Sequence, residues 1–175
     1  MHAFEPMPEA VKILKKNIER MSNTELHETA VSNKQGTSAF SVNKFGDTSS
    51  LGDTPSARRK IQVHLNTLDN VLENENRIDV IKIDVEGHEL EVLQGASKII
   101  DKYNPLLYFE FINAYMSQRY IEFDDYKTLL EPFGYALSWV NPDYPHGSLA
   151  TEEQSSYIIG IPTNDRSKDR WSNLF

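Results

Sequence analysis

The chain has 175 residues and a mass of 20.1 kDa, a length that suits one domain able to bury a core without disulfides. Hydrophobic residues make up 39% and charged residues 25%, the balance of a globular chain rather than a disordered one. Eighteen Lys and Arg against twenty-six Asp and Glu leave a net charge of −8, which excludes binding by broad phosphate attraction and argues against a nucleic-acid partner. Zero cysteines exclude disulfides, Cys-zinc sites and thiol nucleophiles. No apolar run approaches the roughly 18 to 20 residues that span a bilayer. Met1 to Ala10 carries two Glu and two Pro instead of a basic and then apolar signal, so a cytoplasmic chain with no transmembrane segment is expected.

Taken in order, His2 to Glu5 read as a strand end, and Pro8-Glu9 opens a helix because proline needs no N–H donor there. Val11, Leu14, Ile18 and Met21 recur at helical spacing, with Asn23 as the stop. Ser32 to Arg59 is polar and reads as a long surface loop with one short strand at Phe40, Val42 and Phe45. Ile61, Val63 and Leu65 alternate as a strand, and Thr67 caps a short helix through Leu68, Val71 and Leu72. Ile78 to Val85 is almost continuously apolar apart from Lys82, the pattern of a central strand buried on both faces. Leu90, Leu93, Ala96 and Ile100 predict one helix that Pro105 stops, and Leu106 to Phe111 predicts the next strand. A helix through Phe123 to Phe133 ends at Gly134, and strands at Tyr135 to Val140 and Tyr157 to Ile161 follow. The division expected is a single domain over residues 1–162 and a tail over 163–175 that is polar and frayed apart from Trp171 and Phe175. Alternating strands and helices predict an α/β fold, a sheet with helices on both faces.

In such sheets ligands sit beyond the carboxyl ends of the strands. The run Asp84-Val85-Glu86-Gly87-His88-Glu89 places three acids and an imidazole at one strand end, where they must be solvated, paired or used. Glu89 also reads simply as an acid serving the helix N-terminus, and His88 as a capping residue. Glu5 ends the first strand, where one carboxylate can accept from two vicinal ribose hydroxyls, and Glu110 ends an apolar strand that requires it to have a partner or a task. His2, His27, His64 and His146 are scattered, and no metal-ligand spacing of the His-x-x-x-His or EF-hand type is present, so no metal is expected.

The segments Ala3-Phe4-Glu5-Pro6-x-Pro8-Glu9 with Asn17, Ala30-Val31-Ser32, Ser49-Ser50-Leu51, Thr67-Leu68-Asp69, Ile81-Lys82-Ile83-Asp84-Val85-Glu86-Gly87-His88-Glu89 and Val92-Leu93-x-Gly95-Ala96 resemble, in this order, the FkbM family of S-adenosylmethionine-dependent methyltransferases. The resemblance covers roughly residues 2 to 111 and is most specific in the Lys82-to-Glu89 block. It implies a Rossmann-like class I methyltransferase sheet, S-adenosylmethionine as cofactor, and O-methylation of a sugar, glycolipid or related small-molecule hydroxyl. It further implies Glu5 on the cofactor ribose, Ala30 to Ser32 on the adenine side, and Asp84 facing the methionine amine and the substrate. The Ser49-Ser50-Leu51 loop is then expected to be a lid. His88, Glu86, Asp84 and Glu110 are the candidate bases, with His88 or Glu86 preferred for their crowding at one strand end.

Family members carry a strand and a glycine-rich turn upstream of the Phe-Glu-Pro segment, and this sequence starts after that position. The first strand is therefore expected to be missing, leaving open edges at Ala3 and Ile81 unless these strands pair with each other or with a partner chain, a homo-oligomer included. Two rival readings follow. One is a non-catalytic methyltransferase-like fragment acting as an interaction module. The other is a carboxylate-metal hydrolase holding magnesium on Asp84, Glu86 and Glu110, which leaves the Glu5 segment unexplained.

Overall fold

The computed structural model describes residues 1–42, 50–51, 57–140, 157–164 and 168–171. Its elements alternate as expected of an α/β protein: β1 (His2–Phe4), α1 (Pro8–Ile18), β2 (Glu25–His27), β3 (Ala30–Val31), β4 (Gly36–Val42), β5 (Ser50–Leu51), β6 (Arg59–Asn66), α2 (Leu68–Val71), β7 (Val80–Ile83), α3 (Glu89–Gln94), α4 (Ser97–Tyr103), β8 (Leu106–Glu110), α5 (Asn113–Gln118), α6 (Phe123–Leu130), β9 (Tyr135–Val140), β10 (Tyr157–Pro162) and α7 (Lys168–Trp171). The strands form three hydrogen-bonded ladders, not one sheet: β1-β2, β3-β6-β4-β5 and β7-β8-β10-β9. β1-β2, β3-β6 and β7-β8 are parallel, whereas β6-β4, β4-β5, β8-β10 and β10-β9 are antiparallel.

The main core lies against the third ladder. Leu107 and Phe109 of β8, Ile158 of β10, Leu93 and Ile100 of α3 and α4, and Tyr126 and Leu130 of α6 are all fully buried. Each fully buried aliphatic or aromatic side chain is worth about 1.5–3 kcal/mol of transfer free energy, so this cluster dominates stability. Phe40, Val42, Val63 and Leu65 form a second, smaller core with Ala30.

Several boundaries differ from the pattern-based expectation. The first helix ends at Ile18, five residues before Asn23, and Met21 is half exposed because nothing covers its face of the chain. The expected loop after Ser32 contains a seven-residue strand, β4, that runs antiparallel to β6 from Gly36 opposite Leu65 to Val42 opposite Arg59. It contains the strand expected at Phe40 and Val42, while its Gly36-Thr37-Ser38 start has no apolar residue to alternate and so extended the strand without a hydrophobic signal. Phe45 and Ser49 lie outside the described residues, and Ser50-Leu51 forms the short β5. The helix expected through Ile100 breaks into α3 and α4 at Gly95-Ala96, and α5 had no periodic signal.

β7 is shorter than the Ile78-to-Val85 run and is not buried on both faces: Ile81 and Ile83 are inside, while Val80 and Lys82 are exposed. Among the described residues β7 pairs only with β8 and β1 only with β2, so the two do not pair with each other. Between them lies a cleft of about 640 Å³ with Phe4, Val31, Leu72, Ile81, Ile83 and Val92 in its walls. In the tail, Arg170 of α7 donates to Tyr103 O at 3.0 Å and pairs with Asp79, and Trp171 Nε1 donates to Asn104 O, so this segment is anchored. Among the described residues no helix is long and apolar enough to cross a membrane.

Candidate active site

β7 ends at Ile83, and the chain turns into α3 through Asp84–His88. Glu86 (φ 54°) and Gly87 (φ 95°) are both left-handed, a conformation that costs a glutamate about 1 kcal/mol and so must be held by its surroundings. Glu89 is the holder. Its carboxylate is completely buried, and Oε1 accepts from Val85 N and Gly87 N, each at 3.2 Å. Burial pushes its pKa up to about 7 against the pull of these backbone donors, and among the described residues Oε2 has no hydrogen-bond partner. Glu89 thus acts on the turn itself, the structural role that the first turn of a helix suggested.

His88 follows the turn at the N-cap of α3. Its Nε2 lies 3.0 Å from Ser32 Oγ, at the end of β3, and its Nδ1 lies 3.6 Å from Glu91 Oε2, one helical turn on. Burial holds the imidazole below its ordinary pKa, opposed by the Glu91 carboxylate and reinforced by Arg119 and Lys34, so His88 is neutral at pH 7. Glu91 is ion-paired with Arg119, whose guanidinium also donates to Gly87 O. Arg119, just past α5, therefore ties α3 to the turn.

Two clefts flank this turn. One, of about 340 Å³, includes Phe4, Glu5, Ala30, Phe40, Asp84 and Glu86 in its walls. The other, of about 470 Å³, includes Ser32, Lys34, Glu86, His88, Tyr115 and Arg119. Among the described residues only Glu86 and Leu51 line both. Glu5 accepts Met7 N on Oε1 at 2.8 Å, and no described residue engages its Oε2. Asp84 accepts Lys82 Nζ at 2.8 Å on Oδ2.

The candidate residues are therefore gathered around one turn but divided. Glu5, Ala30 and Asp84 border the first cleft, His88 and Ser32 the second, and Glu110 borders neither. Glu110 is hydrogen-bonded to Tyr157 across the β8–β10 pair, and burial, with Asp84 and Glu86 nearby, raises its pKa. Among the described residues, Asp84, Glu86 and Glu110 do not bring three oxygens within 4.8 Å of one another, which leaves a magnesium site on this trio without support.

The description "Methyltransferase FkbM domain" belongs to the family model that matches residues 1–137. The chain belongs to this FkbM family. A similar fold is found in the crystal structure of methyltransferase FkbM from Methylobacillus flagellatus KT, with a TM-score of 0.56 and 16% sequence identity. That similarity covers 91% of the present chain and 36% of the solved one, so this chain spans little more than a third of the length of its structural neighbour. No curated protein matches the chain.

Three features of this FkbM domain escaped the residue patterns. Glu91 reads as one more acid in a helix's first turn, yet it faces His88 because i and i+3 share a helix face. Arg119 and Tyr115 come from the region of α5, which lacks periodicity. Gly95 looks like a helix stop, but a Cβ there would lie 2.1 Å from Ser32 O, so its absence lets α3 approach the end of β3. That approach puts His88 within reach of Ser32.

Proposed function

We propose that this FkbM domain binds S-adenosylmethionine in the cleft beside Glu5 and methylates a hydroxyl of a sugar, glycolipid or related small molecule held in the cleft beside His88. The observation that carries this reading is the position of Glu86, among the described residues the one carboxylate in the walls of both clefts. The ladders are read as parts of a class I methyltransferase sheet, with β1, β3 and β7 presenting their carboxyl ends to the site.

The lining of the first cleft suits the nucleoside end of this cofactor. Glu5 has an oxygen left for vicinal hydroxyls, Ala30, Phe40 and Leu51 offer an apolar wall for a purine, and Asp84 suits a nearby amine. When bound, the cofactor supplies an electrophilic methyl group on a sulfonium. The protein's own task is then to align an acceptor oxygen and take its proton. Glu86, held in its left-handed conformation by Gly87 and Glu89, takes that proton, while neutral His88 and Ser32 hold acceptor hydroxyls by hydrogen bonds.

Calorimetric titration of the chain with S-adenosylhomocysteine tests this without knowledge of the acceptor. Micromolar binding that Glu5→Ala abolishes and Glu86→Gln preserves is the expected result. A folded chain that binds nothing would favour the interaction-module reading instead. The open edges of β1 and β7 support a further strand as partner, from a second copy or another chain, and sedimentation across a concentration series reads out self-association.

A further inference from the structure

Outside both clefts' polar linings, the β1–β2 pair builds a second cluster. The two strands are parallel with His2 opposite Glu25 and Phe4 opposite His27, so alternation puts all four side chains on one face. Twenty-five residues separate the histidines, a spacing that no local motif records; the strand pairing alone joins them. Phe4 stacks on His27 at 4.6 Å between centroids and His27 on His2 at 5.3 Å, which restricts where the rings can go.

We propose that this face is a binding site for one divalent cation of the zinc class, ligated by His2 Nδ1, His27 Nε2 and the Glu25 carboxylate. His2 Nδ1 and His27 Nε2 are 3.0 Å apart, Glu25 Oε2 is 3.8 Å from the first, and Glu25 Oε1 is 3.8 Å from the second. One ligand atom from each residue falls within 4.8 Å of the others. Zinc–nitrogen bonds of about 2.0–2.1 Å in a tetrahedral site hold two nitrogens roughly 3.3 Å apart, so a few tenths of an ångström convert the cluster into a site. The two rings lie 21° from parallel, and a rotation about χ2, a soft torsion for histidine, aims both lone pairs at one point.

The protonation pattern already suits ligation. Glu75 Oε1 lies 3.2 Å from His2 Nε2, fixes the proton there and leaves Nδ1 with its lone pair, the arrangement of a carboxylate behind a metal-bound histidine. His27 must then donate Nε2–H to His2 Nδ1 in the metal-free state. When the cation binds, that proton moves through solvent to His27 Nδ1, which leaves Nδ1 of His2 and Nε2 of His27 each with a lone pair for the metal. Two imidazoles and one carboxylate select zinc, cobalt, nickel or copper over magnesium and calcium, which prefer all-oxygen sets. Glu25 is well exposed, so water can fill the fourth position. Bound there, the cation would join β1 and β2 to the segment after α2 that carries Glu75.

The test is calorimetric titration of the tag-free, chelator-treated full chain with zinc chloride, paired with cobalt(II) absorption. One zinc per chain is expected, together with the visible bands of a tetrahedral cobalt site and a raised thermal midpoint. Glu25→Gln, on the surface, and His27→Gln should each weaken zinc binding about tenfold or more, Glu75→Gln about tenfold by releasing the His2 tautomer, and His64→Gln not at all. Thermal midpoints without zinc identify any variant that fails to fold, and Glu25→Gln then decides. Absence of saturable one-to-one binding, or binding that survives Glu25→Gln and His27→Gln, overturns the proposal.

Discussion

The cleft beside Glu5 and the cleft beside His88 share Glu86 but are built from different material. The first is walled by strand ends and apolar side chains with acids at its rim. The second is walled by the first turn of α3, the end of α5 and residues of β4, β5 and β6, and its polar groups are committed to one another through the Ser32–His88 hydrogen bond and the Glu91–Arg119 ion pair. Shape can hold a ligand in the first, whereas prearranged polarity can act on one in the second. Both depend on the same turn, so damage to the turn should abolish both properties, and damage to one wall should abolish one.

Gly95→Ala is the most severe test of this dependence. The added Cβ would meet the backbone carbonyl of Ser32, which cannot swing aside as a side chain can, and would drive α3 from the end of β3. Urea denaturation should show a loss of about 3 kcal/mol or more. Ligand binding in both clefts should disappear together. A variant that kept full stability would mean that α3 is free to shift and that the His88–Ser32 contact is incidental.

Glu89 comes next, and pH separates its contribution from simple packing. Its folded pKa of about 7 exceeds the ordinary value of 4.5, so the folded chain holds the proton more tightly than the unfolded chain does. This contribution is complete below pH 4.5 and is lost as pH rises to about 7, on the order of 3 kcal/mol across the window. Glu89→Gln should remove that slope and leave the variant relatively more stable at pH 8. Glu89→Ala should lose the same slope and lie about 2 kcal/mol below Glu89→Gln at every pH, because Val85 N and Gly87 N lose their acceptor. Parallel pH–stability curves for wild type and Glu89→Gln would show that the carboxyl is not the group that titrates.

The division of labour around the turn also explains what could be read without coordinates. The β7 apolar run, the Pro8 helix start and the Thr67 cap were legible because each depends on neighbours within a few residues; Thr67 Oγ1 does accept Asn70 N. The gathering of acids and His88 at one strand end was legible for the same reason. Their assignment to separate clefts was not, since it depends on which distant segment packs alongside. Ser32 reaches His88 across 56 residues, and Arg119 reaches Glu91 across 28, through an element with no periodic signal. Only the second half of β4 was legible, through Phe40 and Val42, because Gly36, Thr37 and Ser38 are polar on both faces of an outlying stretch that buries little. Central position for β7 was inferred from hydrophobicity, but burial on a face and pairing at an edge are separate properties.

Asp69 offers a milder break, confined to the support behind the second cleft. Its two oxygens accept Ile99 N and Lys98 N at 3.0 and 3.1 Å, capping α4 from α2, while its own N–H donates to Gly95 O. Asp69→Ala should cost about 1 kcal/mol in urea denaturation, the usual worth of a lost helix cap. Because Gly95 still approaches Ser32, the His88–Ser32 contact should survive in this variant. Loss of that contact, seen as a His88 titration moved to its ordinary range, would extend the turn's support to α4.

The smallest effect sharpens the comparison most. Glu91→Gln removes the carboxylate that opposes burial at His88 while leaving Arg119 in place, so the imidazole should titrate at lower pH still. The change should be small and downward, and is followed by the NMR resonance of its Cε1–H. Fold and stability should scarcely change. Glu5→Ala, in the other cleft, should leave the same curve where it is, because Glu5 is absent from the charges that act on His88. If both substitutions moved it equally, the two clefts would form one electrostatic unit joined through Glu86. If only Glu91→Gln does, the charge arrangement of the second cleft is set locally by the first turn of α3 and by Arg119, and the first cleft can vary without disturbing it.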